Sequence, residues 1–210
     1  MISSSTVGQG RQQVLAELVG SARVLPVITI EQLEDAVPLA RALVAGGVCH
    51  LEITLRTAAG ADAAAAIIAQ VPEAVVGIGT VLTAKDLARA RDLGARFALS
   101  PGAPPELLDA AAASDLPFVP GILSSSELMA ALARGFDLVK FFPAVPAGGV
   151  AALKALAGPF PQVRFCPTGG ISESTAAEWL ALPNVLAVGG SWLTPPEEIR
   201  AGNWGSITER

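Results

Sequence analysis

The distribution of apolar residues along the chain constrains the fold more than any other feature of the sequence. Short runs rich in β-branched residues alternate with longer segments of helical periodicity, and about eight such pairs can be counted. The apolar runs cover residues 24–30, 48–55, 75–81, 97–100, 118–119, 138–142, 164–166 and 186–188. Alternation of this kind predicts βαβ units and a parallel sheet.

The number of repeats favours a closed barrel over an open doubly wound sheet. A (β/α)₈ barrel of about 200–250 residues forms one domain, which fits a chain of 210 residues. We predict a single (β/α)₈ TIM barrel with an N-terminal helix over residues 11–210. A flexible N-terminal tail is predicted over residues 1–10, which are polar and rich in Ser and Gly. The open sheet stays as the alternative, because short strands are easily miscounted.

Most of the predicted strands end in small residues or proline, which permit tight turns into the following helix. In a barrel these carboxyl ends meet on one face, where ligands bind. Helix starts follow with suitable N-caps, including Thr83 and Ser124, the latter with Glu127 at capping-box spacing. The strand ends are Gly79-Thr80, Ser100-Pro101-Gly102, Pro120-Gly121, Pro143-Ala144, Thr168-Gly169-Gly170 and Gly189-Gly190-Ser191.

Composition and charge exclude several classes of function. The net charge is −5 and no basic run occurs, so a nucleic-acid partner is not expected. No apolar stretch reaches the roughly 20 residues that a membrane helix needs. Cys49 and Cys166 lie in apolar runs and His50 is the single histidine, which argues against a disulfide framework or a metal cage. We expect reduced cysteines in a cytoplasmic protein.

Lys140 is the residue whose position in the sequence is hardest to explain by a purely structural role. The chain has three lysines, and Lys85 and Lys154 lie in ordinary helical segments, whereas Lys140 stands in the apolar run 138–142. Burial disfavours the ammonium form and favours a neutral amine, which attacks ketones to form an imine that stabilises a neighbouring carbanion. The structural interpretation, in which Lys140 pairs with a carboxylate at the sheet end, stays open.

The second predicted strand supplies polar partners for this lysine. Side chains alternate along a strand, so Glu52, Thr54 and Arg56 share one face, which we expect to point into the barrel. A carboxylate and an amine in one lumen can exchange protons, and an arginine can bind a substrate carboxylate in bidentate fashion. A purely structural Glu–Lys–Arg network is the alternative. Glycine pairs after strands seven and eight occupy the place where barrels often bind phosphate.

Taken together, the motifs resemble those of the 2-keto-3-deoxy-6-phosphogluconate (KDPG) aldolases of the Entner–Doudoroff pathway, a family that also includes 4-hydroxy-2-oxoglutarate aldolases. The similarity extends in order from about Val24 to about Asn203, or nearly the whole chain. The matching segments are Gly46-Gly47-Val48, Leu51-Glu52-Ile53-Thr54-Leu55-Arg56-Thr57, Gly77-Ile78-Gly79-Thr80-Val81, Ser100-Pro101-Gly102, Lys140-Phe141-Phe142-Pro143-Ala144, Gly158-Pro159-Phe160, Cys166-Pro167-Thr168-Gly169-Gly170-Ile171 and Gly189-Gly190-Ser191-Trp192.

The resemblance implies catalytic roles for individual residues. Lys140 would form the Schiff base, and Glu52 would be the general acid and base for the carbinolamine and the C3 proton. Arg56 and Thr80 would hold the pyruvate carboxylate, and Pro101 would shape that end of the pocket. The implied reaction is reversible cleavage of KDPG to pyruvate and D-glyceraldehyde 3-phosphate, with 4-hydroxy-2-oxoglutarate as a further substrate.

The resemblance also implies contacts to the rest of the substrate. Phe142 would pack on the bound keto acid, Gly169, Gly170 and Ser191 would hold the phosphate, and Thr168 would face the sugar hydroxyls. The partners would be a small keto acid or phosphorylated sugar acid, in a homotrimer that uses no metal and no cofactor. Family members usually continue past residues 203–208 into a longer C-terminal helix, so we expect the last barrel helix here to be short or missing.

Three other functions are compatible with the same sequence features. The epimeric 2-keto-3-deoxy-6-phosphogalactonate aldolase would differ in hydroxyl recognition, for which Thr168 favours the gluconate substrate. A phosphosugar isomerase or epimerase would keep the phosphate site without imine chemistry. A non-catalytic, self-assembling barrel that binds a phosphate ligand would fit the hydrophobic fraction of 51%.

Overall fold

The computed structural model describes the backbone of residues 4–210 and the side chains of residues 12–210. Helices and strands alternate along this part of the chain. The strands are β1 Val24–Ile28, β2 His50–Thr54, β3 Val75–Gly79, β4 Phe97–Leu99, β5 Phe118–Val119, β6 Gly121–Ile122, β7 Leu138–Phe141, β8 Arg164–Phe165 and β9 Val188–Gly190. The helices are α1 Ser4–Ala22, α2 Ala36–Ala45, α3 Gly60–Gln70, α4 Ala84–Asp92, α5 Pro105–Ala113, α6 Ser125–Leu132, α7 Gly149–Ala157, α8 Glu173–Leu180, α9 Pro196–Arg200 and α10 Trp204–Glu209.

The strands form a closed parallel barrel. Six of them pair in the order β5-β4-β3-β2-β1-β9, and three in the order β6-β7-β8. β5 and β6 are two halves of one barrel strand, separated by Pro120, which has no N–H to donate to the sheet. A parallel bridge between Thr168 and Gly189 joins the β8 side to β9. The predicted (β/α)₈ barrel is therefore confirmed, and β2 and β7 lie opposite each other across it.

Local sequence explains where several helices begin. Before α4, the Thr83 hydroxyl accepts a hydrogen bond from the Asp86 backbone at 3.1 Å, and the Asp86 carboxylate accepts one from the Thr83 backbone at 3.0 Å. Before α6, Ser124 and Glu127 form the same reciprocal box. Both predicted N-caps are therefore confirmed, and both set the start of a helix that follows a barrel strand.

The amino end of the barrel is closed by α1. Leu15, Ala16 and Val19 of this helix pack against buried lumen residues, which include Leu25 and Leu138. The side-chain oxygen of Gln12 accepts a hydrogen bond from the buried Leu138 backbone at 3.2 Å. The lumen is thus a packed apolar core at its amino end, and access to it is left at the carboxyl end.

The prediction for the first ten residues differs from the structure. Residues 4–10 lie in α1 rather than in a tail, and residues 1–3 lie outside the described part of the chain. Burial of the α1 apolar side chains over the barrel end is a long-range contact, which the polar local composition does not reveal.

The C-terminal residues form two short helices. The Thr208 hydroxyl of α10 donates to the Ala42 carbonyl of α2 at 3.1 Å. A Cβ atom at Gly46 would lie 2.6 Å from the Thr208 carbonyl oxygen, so α10 packs directly on the end of α2. The last barrel position is therefore occupied by short helices, as expected. Within residues 4–210, no helix combines the length and apolarity needed to cross a bilayer.

The Gln12 contact predicts a measurable loss of stability. Gln12→Ala would leave the buried Leu138 N–H without an acceptor, which should lower the free energy of unfolding by about 1–3 kcal/mol. Chemical denaturation followed by circular dichroism measures this change. The matched control is Gln13→Ala, an exposed neighbour on the same helix, which should change stability by less than about 0.5 kcal/mol. Equal losses in the two variants would contradict the assignment.

Candidate active site

Lys140 and Glu52 meet in the barrel lumen. They come from the opposite strands β7 and β2, and Lys140 Nζ lies 2.9 Å from Glu52 Oε1. Lys140 is 2% exposed and Glu52 1% exposed. Desolvation of two such groups is costly, and the direct hydrogen bond between them offsets part of that cost. At this distance a proton can pass between the amine and the carboxylate without an intervening group.

The strand next to β2 leaves space for the Glu52 carboxylate. Gly79 ends β3 beside Glu52, and a Cβ atom there would collide with Glu52 Oε1. The second oxygen, Glu52 Oε2, is buried and has no hydrogen-bond partner within the described part of the chain. A buried acceptor without a partner is available to accept a hydrogen bond or a proton from a bound molecule.

The surroundings of this pair are apolar, and both side chains are buried. The Phe142 ring centroid lies 5.6 Å from Lys140 Nζ, and Cys166 is fully buried nearby. Burial raises the pKa of the Cys166 thiol to about 12, although the positive charge of Lys140 acts in the opposite direction. The thiol is therefore protonated at neutral pH and is a poor nucleophile.

A cavity of about 350 Å³ opens at the carboxyl ends of the strands. Its size lies in the range of about 300–1,000 Å³ that is usual for small-molecule sites. Six of the ten predicted site residues line it. In the part of the chain that the structure describes, the residues that line the cavity are Val27, Thr29, Arg56, Phe142, Thr168, Gly169, Gly170, Ile171, Gly189, Gly190, Ser191, Thr194, Pro196 and Ile199.

One end of the cavity carries its charge. Among the residues that the structure describes, Arg56 is the one charged residue that lines the cavity, and its Nε donates to the Thr80 hydroxyl at 3.2 Å. Thr80 has a φ of 61°, in the left-handed region that a β-branched residue rarely adopts. This hydrogen bond orients the exposed Arg56 side chain, although Thr80 does not itself line the cavity. A guanidinium group oriented in this way is suited to binding a carboxylate.

The opposite end offers backbone N–H groups. Gly169 and Gly170 follow β8 with φ values of 103° and 80°, and Ser191 follows β9. In the part of the chain that the structure describes, the N–H groups of these three residues donate to no other protein group. A Cβ atom at Gly189 would collide with the Thr168 hydroxyl, so this glycine makes room for Thr168. Consecutive free N–H groups of this kind form an anion-binding concavity.

The remaining predicted residues lie apart from the cavity surface. Glu52 and Lys140 lie deeper in the lumen, and Thr80 acts through Arg56. Pro101 does not line the cavity; its carbonyl group lies against the Cα of Gly121, where a Cβ atom would collide with it. The proposed role of Pro101 in shaping the pocket stays a prediction.

Sequence reasoning missed several lining residues. Strand alternation through Leu25 and Val27 could have identified Thr29, which lies directly after β1. Thr194, Pro196 and Ile199 belong to the segment after β9, whose short helix α9 gave no periodic signal. Their place in the cavity wall depends on how this segment folds back over the barrel.

Comparison with known proteins agrees with this geometry. The chain matches the family model for KDPG and KHG aldolases over residues 15–210. It is 52% identical to the 2-dehydro-3-deoxy-phosphogluconate aldolase of Pseudoalteromonas atlantica, over 89% of this chain and 86% of that protein. It is 54% identical to the KHG/KDPG aldolase of Escherichia coli K12, over 89% of this chain and 87% of that protein.

A solved structure extends the comparison to three dimensions. The KDPG aldolase of Legionella pneumophila, with pyruvate captured at low pH as a covalent carbinolamine intermediate, superposes with a TM-score of 0.90. The two chains are 49% identical, and the match covers 92% of this chain and 94% of that one. Sequence, fold and site geometry thus agree, and the chain belongs to the KDPG and KHG aldolase family.

Proposed function

We propose that this protein is a class I aldolase that reversibly cleaves 2-keto-3-deoxy-6-phosphogluconate to pyruvate and D-glyceraldehyde 3-phosphate. The observation that carries the proposal is the buried hydrogen bond of 2.9 Å between Lys140 Nζ and Glu52 Oε1. The name of the E. coli relative supports 4-hydroxy-2-oxoglutarate as a second substrate. The reaction needs no metal and no organic cofactor, because the imine itself withdraws the electrons.

Imine formation begins with proton transfer along this hydrogen bond. The Lys140 ammonium gives a proton to the Glu52 carboxylate, and the neutral amine attacks the C2 carbonyl of the keto acid to form a carbinolamine. Glu52 returns its proton to the carbinolamine hydroxyl, which leaves as water. The product is an iminium ion at C2, covalently bound to Lys140.

Cleavage then breaks the bond between C3 and C4. The Glu52 carboxylate takes the proton of the C4 hydroxyl, and the C4 oxygen becomes the carbonyl oxygen of glyceraldehyde 3-phosphate. The electron pair of the broken C3–C4 bond moves into the iminium to give an enamine. Glu52 supplies the proton that the enamine takes up at C3. Water then hydrolyses the iminium, which releases pyruvate and returns Lys140 to its ammonium form beside the Glu52 carboxylate.

The two ends of the cavity fix the direction in which the substrate binds. Arg56, held by Thr80, binds the C1 carboxylate, which places the adjacent keto group toward the lysine. Phe142 packs beside the bound keto acid, since its ring already lies over Lys140 Nζ.

The far end of the cavity receives the phosphate. The free N–H groups of Gly169, Gly170 and Ser191 are the donors for its oxygens. Thr168 lines the cavity on the same side and faces the sugar hydroxyls. This assignment leaves the gluconate substrate favoured over its galactonate epimer.

Assembly and location follow as further parts of the proposal. Large apolar side chains are exposed at positions Leu82, Leu123, Met129 and Val145, of which Leu82, Leu123 and Val145 lie in the turns after barrel strands. Exposed apolar side chains of this kind are suited to burial between subunits, and in this way they support assembly into a homotrimer. The free thiols of Cys49 and Cys166 support a cytoplasmic location.

The first test traps the imine. Incubation with pyruvate and borohydride should add one reduced pyruvate adduct, and peptide mapping should place it at Lys140. Lys85 and Lys154 are exposed and serve as internal controls that should stay unmodified. An adduct spread over all three lysines, or none at all, would contradict the proposal.

The second test concerns the proton carrier. Glu52→Gln keeps the size of the side chain but cannot accept a proton, so exchange of the pyruvate methyl protons in D₂O should slow by about 10²- to 10⁴-fold. Proton NMR measures the exchange. Glu31→Gln, an exposed change at the same end of the barrel, should leave it within about twofold. Wild-type exchange in Glu52→Gln would assign the proton transfer to another group.

The third test excludes the other nucleophile of the lumen. Because burial raises the pKa of Cys166 to about 12, iodoacetamide at about pH 8 should leave Cys166 unmodified in the folded protein and alkylate it after unfolding in guanidinium. Peptide mass spectrometry reads the labelling, and the half-buried Cys49 provides a comparison in the same sample. Rapid labelling of Cys166 in the folded protein would show that the lumen is open to solvent.

A further inference from the structure

Thr29 lies between the two ends of the cavity and has no role in the mechanism above. It directly follows β1, is half-buried and lines the cavity. In the barrel, β1 is flanked by β9 and by β2. Ser191, at the phosphate end, follows β9, and Arg56, at the carboxylate end, follows β2. Thr29 therefore faces the middle of a substrate that spans the two ends.

Thr54 determines whether the Thr29 hydroxyl acts as a donor or as an acceptor toward the cavity. The buried Thr54 hydroxyl donates to the Ile28 carbonyl at 3.0 Å. A hydroxyl group has one proton, so Thr54 has none left for Thr29, whose oxygen lies 3.1 Å from that of Thr54. With the Thr54 proton in the bond to the Ile28 carbonyl, Thr54 accepts from Thr29, and the proton between the two hydroxyl oxygens is that of Thr29. The Thr29 oxygen consequently presents only lone pairs to the cavity.

An acceptor at this place complements the other groups of the cavity. Both ends of the cavity carry hydrogen-bond donors, which bind anions. These donors are the Arg56 guanidinium group at one end and the N–H groups of the phosphate end at the other. The middle carbons of the substrate carry hydroxyl groups, which need acceptors for their protons. The arrangement of donor, acceptor and donor along the cavity matches carboxylate, hydroxyl and phosphate in that order.

We propose that Thr29 accepts a hydrogen bond from the C5 hydroxyl of the substrate, and that Thr54 is the positioning residue that makes it an acceptor. The C4 oxygen loses its proton on cleavage, whereas the C5 hydroxyl keeps its proton throughout and becomes the C2 hydroxyl of glyceraldehyde 3-phosphate. A fixed acceptor binds that hydroxyl equally before and after cleavage. The inference rests on the proposed function and adds a determinant of aldehyde specificity to it.

The test compares two aldehydes in the condensation with pyruvate. D-glyceraldehyde 3-phosphate carries the hydroxyl, and 3-phosphooxypropanal lacks only that group. Thr29→Val should lower kcat/KM for the first by about 5- to 10-fold and change it for the second by less than about twofold. Thr29→Ser keeps the hydroxyl and should retain the wild-type ratio of the two values. An equal fall on both aldehydes, or no fall on either, would overturn the assignment.

Thr54 is tested through the same ratio. Thr54→Val removes the acceptor of the Thr29 hydrogen bond, so the Thr29 hydroxyl can turn and the preference for the hydroxylated aldehyde should weaken. Thr54→Ser keeps this acceptor and should keep the preference. A general loss of activity without a change of the ratio would show a merely structural role for Thr54.

The borohydride adduct at Lys140 is measured in every variant and separates the two proposals. A normal adduct with an unchanged aldehyde ratio rejects Thr29 alone. An absent adduct in the wild-type protein rejects the aldolase function, and the inference with it.

Discussion

The buried contact between Lys140 and Glu52 is the interaction on which the rest of the site depends. This contact contributes little to the stability of the fold, because the free-energy cost of desolvating two charges is about as large as their attraction. Apolar residues of similar size often stabilise a core equally well. The amino end of the same lumen is filled by apolar residues instead, such as Leu25, Leu99 and Val119. A pair of charged groups in that setting is explained by proton transfer between them better than by a contribution to folding.

The barrel makes this contact possible through strand alternation. Side chains of one parity point inward on every strand, so Glu52 on β2 and Lys140 on β7 face each other across the lumen. Glycine at position 79 leaves the space into which the carboxylate extends. Helix α1 closes the amino end of the lumen. The carboxyl end is therefore the side from which a keto acid can approach the amine.

Much of this arrangement could be predicted from the sequence because it depends on short-range patterns. The rarity of lysine made Lys140 conspicuous, alternation placed Glu52 and Arg56 on one face, and the glycine pairs marked the last two strand ends. The residues that were missed depend on long-range packing. Thr194 and Ile199 reach the cavity only because the segment after β9 folds over the barrel, and residues 4–10 join α1, whose apolar side chains cover the barrel's amino end.

In the proposed function, the distribution of charge in the cavity also determines which end of the substrate lies next to Lys140. A keto acid with a second anionic group could bind in two directions if both ends of the site were alike. Here one end has the guanidinium group of Arg56, and the other has neutral donors, which include the N–H groups of Gly169, Gly170 and Ser191. The planar, bidentate guanidinium group matches a carboxylate, whereas a concave set of N–H groups matches the tetrahedral phosphate. In the proposed function, the carboxylate next to the keto group therefore binds at the Arg56 end and the phosphate at the opposite end.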